Sequence, residues 1–326
     1  EPYRRQRQMC IRDSYGGRLL IMTEDRGEPD VITAWRTAPG HHARGAFNPR
    51  EIETIRREVL PSLPCEQAEI GIISPYNEQV NALHRELGGG IDVATVHKFQ
   101  GREKEAIILS TVDDQITAFT DDPNLLNVAV SRAKRQFTLV TSSNEQPDNR
   151  NIADLLAYID YNGGKITKSA IHSVFDLLYE PYAEARREFL KRHRRISEFD
   201  SENLTYALLE RVLEADPAFR HLGVLCHQPL QQLIRDWTLL NDEERRYASN
   251  GATHLDFLIY NRVSKQPVLA VETDGYQFHK QGTRQSERDR MKDRILDRYS
   301  LPLLRLSTTG TDEEAKIKDQ LSKIVE

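Results

Sequence analysis

Late in the chain, three acidic residues lie beside two apolar runs. Their residue types and spacing are those of a metal site. Asp256 leads the run Phe257–Tyr260, and the run Val268–Val271 is followed by Glu272 and Asp274. Carboxylates two residues apart in a strand lie on the same face, because side chains alternate along a strand. Such oxygen ligands suit Mg²⁺, which orients a water molecule and stabilises the charge that develops during phosphodiester cleavage. The spacing predicts a magnesium site formed by these three residues.

A histidine follows the same run. His279 lies just beyond a turn at Gly275, where it can act as a general base or as the acid for the leaving group. Acidic residues at strand ends are usually solvated, so the three carboxylates alone are a weak signal.

A glycine turn and an arginine earlier in the chain have the types expected beside a nucleotide. Gln100 and Gly101 form the turn, and Asn124–Lys134 is predicted to be a helix that carries Arg132. A glycine turn lets the backbone approach a bound nucleotide. An arginine near such a loop can stabilise charge on a phosphate during its transfer.

The elements that position these residues alternate between strands and helices. Asn48 is expected to cap a helix with Pro49 at its first position. The other predicted elements of this half are the strands Ile70–Ile73, Ala106–Val112 and Phe137–Thr141 and the helices Glu78–Leu87 and Ile152–Tyr161, with Leu19–Met22 as a further strand. Repeated strand–turn–helix order predicts an α/β fold, with a parallel sheet and helices on both faces.

The second half is predicted to contain a hairpin between helices. Asp256–Tyr260 and Val268–Asp274 form its strands, joined by a turn through Ser264–Gln266. The flanking elements are predicted to be the helix Ser201–Glu214, the strand Gly223–Cys226, the helix Ser286–Tyr299 and the strand Leu303–Leu306.

Three stretches of the first half resemble motifs of superfamily 1 helicases. VATVHKFQGREKEAIILSTV, Val93–Val112, resembles motif V, and LNVAVSRAK, Leu126–Lys134, resembles motif VI. SPYNEQV, Ser74–Val80, is similar to motif IV. The resemblance covers residues near 19–160 and implies the second RecA-like domain of such an enzyme.

This resemblance implies roles for single residues at a nucleotide. Gln100 and Gly101 shape the loop that faces ATP, Glu103 bonds the ribose, and Arg132 is the arginine finger on the γ-phosphate. The implied contacts with nucleic acid are Thr95, His97, Ser74 and Tyr76.

The sequence lacks the other half of such an ATPase. It contains no G-x-x-x-x-G-K-[ST] phosphate loop and no apolar strand ending in Asp-Glu ahead of motif V. The residues that hold phosphate and magnesium are therefore expected on a first RecA-like domain. We expect this chain to need that domain to bind and hydrolyse ATP, and to show no ATPase activity alone.

The order of elements in the second half, with the pattern D…ExDG…H, resembles the PD-(D/E)xK nucleases. The similarity is to their very-short-patch-repair-like endonuclease branch and runs from about 201 to 308. It implies Asp256 and Glu272 as metal ligands, Glu202 as the acid of the first helix and His279 as the catalytic histidine.

One position departs from the superfamily pattern. Its lysine would fall at Asp274, although the short-patch branch also does without that lysine. Lys292, on the following helix, is a candidate substitute. The alternative is that Lys292 is a surface partner within a highly charged helix.

Composition limits the class of protein. The chain has 326 residues and a formal net charge of -5, so any basic surface must be local. The widely spaced Cys10, Cys65 and Cys226 fit neither a zinc site nor a disulfide framework, which favours a reducing cytoplasm. No apolar run is long enough to span a membrane.

A cationic stretch, Tyr182–Arg195, carries six lysine and arginine residues. Such a cluster can bind phosphates. A solvated helix face, with Glu184 and Glu188 as partners, explains it equally well.

The predicted organisation has four parts. Residues 1–18, which include the basic stretch Arg5–Ser14, are expected to be disordered or artefactual. They are followed by a RecA-like domain (19–164), a helical linker (165–200) and a nuclease-like α/β domain (201–326). The leading hypothesis is a C-terminal fragment of an ATP-dependent helicase–nuclease that acts on DNA. The alternatives are a nucleic-acid-binding module with an inactive nuclease site and a fragment of an RNA helicase.

Overall fold

The computed structural model describes residues 30–99, 101–144, 146, 151–161, 163–179, 182–275 and 284–325. It divides into two compact units, Glu1–His172 and Ser173–Glu326. The domain limits predicted at 164 and 200 stay predictions. Gln100, His279 and the predicted strand Leu19–Met22 lie outside the described residues.

The first unit is built on a parallel sheet of six strands, ordered β3-β2-β4-β5-β1-β6. The strands are β1 (Ile32–Thr37), β2 (Ile70–Ser74), β3 (Asp92–Thr95), β4 (Lys104–Ser110), β5 (Ala133–Ser142) and β6 (Ile166–Lys168). The helices are α1 (Pro49–Thr54), α2 (Asn77–Leu87), α3 (Pro123–Ser131) and α4 (Asn151–Tyr161). A π-helical turn, Ile55–Val59, extends α1.

Apolar side chains cover both faces of this sheet. Ile107 and Leu109 of β4 belong to one core cluster with residues of α3 and α4. Ile108 belongs to a second cluster with residues of α1 and α2. Neighbouring residues of one strand point to opposite faces, so a continuous apolar run indicates burial on both sides. The predicted α/β class, with a parallel sheet between helices, is confirmed.

The ends of two helices test the sequence prediction in detail. Asn48 caps α1 as predicted, because its side chain accepts hydrogen bonds from the backbone N–H groups of Arg50 and Glu51. The helix predicted to reach Lys134 ends at Ser131 instead. Ala133 starts β5 and pairs with β4, and this ladder replaces the last helical turn.

The second unit contains a mixed sheet of four strands, ordered β10-β9-β8-β7. The strands are β7 (Leu222–Pro229), β8 (His254–Asn261), β9 (Pro267–Asp274) and β10 (Leu303–Ser307). The helices are α5 (Ala183–Lys191), α6 (Asp200–Ala215), α7 (Asp242–Ala248), α8 (Arg284–Arg298) and α9 (Glu313–Val325). Strands β8 and β9 form the predicted antiparallel hairpin, and β10 pairs with β9 in parallel.

Helices cover both faces of this sheet as well. Phe257 and Ile259 of β8 pack in a cluster with α6, whereas Leu258 packs with Ile295 and Leu296 of α8. The hairpin is therefore packed between these two helices. None of the helices formed by the described residues is long and apolar enough to cross a bilayer.

Candidate functional site

A cleft of about 570 Å³ lies at the carboxyl end of β9, beside the first turn of α6 and one face of α8. It includes five of the residues predicted for the metal site and its surroundings. They are Glu202, Asp256, Glu272, Asp274 and Lys292.

Asp256 and Glu272 lie directly opposite each other on neighbouring antiparallel strands, since Phe257 pairs with Val271. The backbone N–H of Asp256 donates to Glu272 Oε1 at 3.3 Å. Asp256 Oδ2 accepts a hydrogen bond from the backbone N–H of Thr273 at 2.9 Å. The hairpin thus brings two acids that are distant in sequence to one side of the cleft.

Lys292 reaches the same place from α8. Its Nζ lies 2.6 Å from Glu272 Oε2 and donates to the backbone carbonyl of His254 at 2.9 Å. The residue is only 8% exposed. Lys292 is therefore a buried partner of Glu272 and not a surface partner along its own helix.

Burial shifts the titration of both acids. Desolvation raises the pKa of Glu272 to about 7, although the charge of Lys292 acts to lower it. Burial also raises the pKa of Asp256, against the hydrogen bond from Thr273 and the charge of Lys292. Near neutral pH a proton therefore competes with any cation for Glu272.

Asp274 is bound differently from the other two carboxylates. Arg305 Nη1 of β10 lies 3.1 Å from Asp274 Oδ1, and Arg305 Nη2 lies 2.7 Å from Asp293 Oδ1. The predicted three-carboxylate site thus consists of one converging pair and a third acid held by arginine. No group of three His, Cys, Asp or Glu side chains within the described ranges is arranged to hold a metal ion.

The converging pair nevertheless fits a magnesium ion of the usual kind. Mg²⁺ is commonly held by one or two carboxylates, while water and substrate phosphate oxygens supply the remaining ligands. Asp256 and Glu272 offer such oxygens at the wall of an open cleft.

The structure adds two histidines that the sequence analysis missed. His227 Nε2 lies 3.0 Å from Glu202 Oε2, and the ring of His254 packs edge-on against His227 at 5.5 Å. His227 falls opposite Asp256 in the ladder between β7 and β8 and has a left-handed φ of 50°. Strain of this kind in a residue that carries a functional group tends to occur at active sites.

The residues implied to contact a nucleotide lie at the amino edge of the first unit's sheet. Gly101 and Glu103 precede β4, and Arg132 precedes the neighbouring strand β5. Lys104 N donates to the carbonyl of Arg132 at 3.1 Å, which joins the two strand starts. Gly101 has a φ of 83°, a conformation that favours glycine.

Within the described part of the chain, the side chain of Arg132 has one unsatisfied donor, as do several other arginines of this unit. Its Nε atom is buried and has no hydrogen-bond partner among the described residues. Buried polar atoms are normally bonded. A phosphate oxygen of a bound nucleotide is one acceptor that would satisfy it.

The residues implied to contact nucleic acid lie at the opposite, carboxyl edge. Ser74 and Thr95 end β2 and β3 and are paired in register. The Tyr76 hydroxyl donates to Asp113 Oδ1 at 2.9 Å. Ser74 is buried, whereas His97 is exposed. The topology thus separates the two predicted sets of residues.

A buried acid, Glu51, lies at the same carboxyl edge. It accepts hydrogen bonds from Ser110 Oγ at 2.5 Å, Thr111 Oγ1 at 3.0 Å and Val112 N at 3.0 Å. Complete burial raises the pKa of Glu51 to about 8, despite these bonds. The carboxyl is therefore mostly neutral at pH 7.

Comparison with known proteins divides the chain in a similar way. A family described as an AAA domain matches residues 30–144, and one described as a protein of unknown function (DUF2726) matches residues 199–324. DNA polymerase alpha-associated DNA helicase A of Saccharomyces cerevisiae is 39% identical over 104 residues, which are 29% of this chain and 15% of that protein.

Two further relatives are similar to part of the chain. DNA-binding protein SMUBP-2 of Rattus norvegicus is 29% identical over 143 residues, covering 41% of this chain and 14% of that protein. ATP-dependent helicase upf1 of Schizosaccharomyces pombe is 39% identical over 93 residues, covering 24% and 9%. These similarities support a RecA-like domain of helicase type in the first unit. The chain spans between 9% and 15% of the length of these three relatives.

Proposed function

We propose that this chain is the C-terminal part of an ATP-dependent helicase–nuclease that acts on DNA. The first unit is the second RecA-like lobe of the motor, and the second unit is a magnesium-dependent endonuclease-like domain. The observation that carries the nuclease proposal is the convergence of Asp256, Glu272 and Lys292 in one cleft.

The residues of the cleft have separate roles in this proposal. Asp256 and Glu272 would hold the ion, which supplies charge neutralisation and orients the attacking water. Lys292 orients Glu272 and adds positive charge where negative charge develops on the phosphate. Glu202 lines the cleft and holds the His227 ring, which would exchange protons with the cleft through this carboxylate. His279, the catalytic histidine implied by the resemblance, remains a prediction.

The motor part of the proposal is supported by the arrangement of the two sheet edges. Gly101, Glu103 and Arg132 at the amino edge would contact ATP that a first RecA-like domain binds. The carboxyl edge would contact the nucleic acid. ATP-driven movement along DNA would then deliver substrate to the nuclease.

A plasmid-nicking assay with Mg²⁺ tests the nuclease proposal. Wild type should convert supercoiled plasmid to the open circle, whereas Asp256→Asn and Glu272→Gln should not. Glu243→Gln, at an exposed position on α7 of the same unit, is the matched control and should nick normally. Intact plasmid with wild type, in both Mg²⁺ and Mn²⁺, would reject an active nuclease.

One observation favours a second candidate, a nucleic-acid-binding module without cleavage. Lys292 already neutralises Glu272 at 2.6 Å, so the acid has a partner without any metal. The two candidates differ in metal binding. An active nuclease should be stabilised against heat by Mg²⁺ in wild type and not in Glu272→Gln, whereas an inactive module should show no such difference.

A further inference from the structure

The cationic stretch around α5 is not used by the catalysis proposed above. Two of its cations are paired within the helix, Arg187 with Glu184 at 3.0 Å and Lys191 with Glu188 at 2.6 Å. These pairs are exposed and contribute little to stability. A third cation, Arg186, pairs with Asp200, so half of the six cations of the stretch have an acidic partner.

Three arginines that follow the helix differ from these paired cations. Arg192, Arg194 and Arg195 are exposed, and within the described part of the chain none forms an ion pair with an acidic side chain. Arg195 Nε donates to the carbonyl of Ser197 at 3.2 Å, which fixes its stem. In a chain of net charge -5, such a concentration of positive charge is a local feature.

Of these three arginines, Arg195 lines a groove of about 440 Å³. Its walls include Arg187, Lys191 and Arg195. Arg186 also lines it and is held by Asp200 at 2.9 Å and by the carbonyl of Leu177 at 2.8 Å. The groove is therefore lined by cations, one of which is rigidly placed.

The groove adjoins the candidate catalytic cleft across the first turn of α6. Asp200 and Asn203 line the groove, whereas Ser201 and Glu202 line the cleft. Neighbouring residues of one helical turn thus line the two cavities.

An exposed aromatic side chain lines the cleft directly before this helical turn. Phe199 is 66% exposed and lines the mouth of the cleft. Its backbone is fixed, because its N–H donates to Ser197 Oγ at 3.1 Å and its carbonyl accepts from Asn203 Nδ2 at 2.9 Å. A large apolar ring presented to solvent on a rigid backbone is suited to stacking on a nucleobase.

We propose that the groove and Phe199 form the entry path for single-stranded DNA into the cleft. Arg187, Lys191 and Arg195 of the groove wall bind phosphates, and a base stacks on Phe199 before the backbone reaches the acids. A positively charged groove combined with an aromatic platform is the general means of binding single strands without sequence preference. Duplex DNA keeps its bases stacked on each other and cannot use Phe199. The proposal that the path leads to a catalytic site rests on the proposed nuclease function. The proposed binding of single-stranded DNA does not.

Fluorescence anisotropy with a labelled oligothymidylate and the full chain tests this path, in EDTA so that no cleavage occurs. The triple variant Arg187→Gln, Lys191→Gln, Arg195→Gln, which removes three cations of the groove wall, should bind at least tenfold more weakly. Its slope of log affinity against log salt should fall by about 2, since each phosphate contact on a single strand contributes about 0.7. The matched control removes three lysines from α9, Lys316→Gln, Lys318→Gln and Lys323→Gln, and should change both quantities much less.

Phe199→Ala should weaken single-strand binding by roughly 5- to 100-fold, the range expected for one stacked base, with an unchanged salt slope and unchanged affinity for duplex. Phe199→Trp should bind like wild type. An oligonucleotide with a photoreactive iodouracil should crosslink to the peptide that contains Phe199.

Several results would overturn the path. They are equal losses in the groove and α9 triple variants, wild-type single-strand affinity in Phe199→Ala, or tighter binding of an RNA of the same sequence through the same residues. Glu272→Gln separates this proposal from the proposed nuclease activity, because it should stop nicking and leave single-strand affinity unchanged. If wild type does not nick plasmid while the binding results hold, the path stands and the nuclease proposal fails.

Discussion

Replacing Lys292 with methionine should destabilise the second unit by an amount that increases with pH. Lys292 and Glu272 are 2.6 Å apart, and their side chains are 10% and 7% exposed. Removal of one partner of a buried pair typically costs about 3–5 kcal/mol when the other partner stays charged. Glu272 can escape much of this cost by binding a proton, because burial already raises its pKa to about 7.

The sign follows from the direction of this shift. A raised pKa means that the folded state holds the proton more tightly than the unfolded state, whose glutamate has a pKa of 4.5. The resulting stabilisation is fully present below pH 4.5 and is lost as the pH rises to about 7, where Glu272 ionises in wild type. Without the lysine the pKa is higher, so the loss continues above pH 7.

The size of the difference can be estimated from the linkage relation. Above pH 7 the variant should lose about 1.4 kcal/mol per pH unit relative to wild type. Between pH 7 and pH 8.5 the gap should therefore widen by about 2 kcal/mol. Below pH 6 only the hydrogen bond from Lys292 to the His254 carbonyl is lost, which is worth about 1 kcal/mol.

Urea unfolding at pH 5.5, 7 and 8.5 measures this gap, with Trp237 fluorescence as the reporter in a Trp35→Phe background. The double variant Lys292→Met, Glu272→Gln is the control, and its unfolding free energy should not follow the titration of Glu272. A gap between Lys292→Met and wild type that is the same at all three pH values would refute the coupling of Lys292 to Glu272.

Three further predictions concern other parts of the molecule. Burial raises the pKa of Glu51, so the first unit of the wild type should become less stable as pH rises from 4.5 to about 8. In Glu51→Gln this decrease should be absent, because glutamine resembles the neutral carboxyl; an unchanged pH dependence of urea unfolding would contradict this. Ser300→Gly should raise the melting temperature and add about 1 kcal/mol of stability, since Ser300 has a φ of 52° at the end of α8; Ser300→Ala should bring no gain. If the proposed nuclease is active, His227→Asn should slow nicking by roughly 10²-fold or more without weakening single-strand binding, whereas His221→Asn should be normal.

The elements that hold the site could be predicted from the sequence because their patterns are local. Strand β4 is a continuous apolar run, and the β8–β9 hairpin joins two such runs through a short turn. The hairpin itself is recognisable from these runs, and an irregularity between Ile259 and Tyr260 then shifts the register by one residue and puts Asp256 opposite Glu272. This pairing is decided by residues less than twenty positions apart.

The environment of the site could not be predicted, because it depends on which helix face packs on the sheet. Helix α8 is rich in charged residues, and no pattern in its sequence indicates that Lys292 is buried. Glu51 looks like an ordinary acid in a first helical turn, and only the packing of α1 under the end of β4 buries it. The predicted strand ended at Cys226, whereas β7 continues for three more residues to Pro229. His227 was missed because it lies in this extension, with a left-handed φ that the sequence pattern does not indicate.

The two units differ in how far their charged groups satisfy one another. In the second unit, the buried charge of Glu272 is matched by Lys292, and the carboxylate of Asp256 is bonded by Thr273. This half can therefore fold with its acids already converged, and a cation would have only to compete with a lysine and a proton. In the first unit, Arg132 keeps a buried Nε atom without an acceptor in the described residues. Such atoms are normally bonded, and in the proposed motor a nucleotide shared with a second lobe would supply the acceptor.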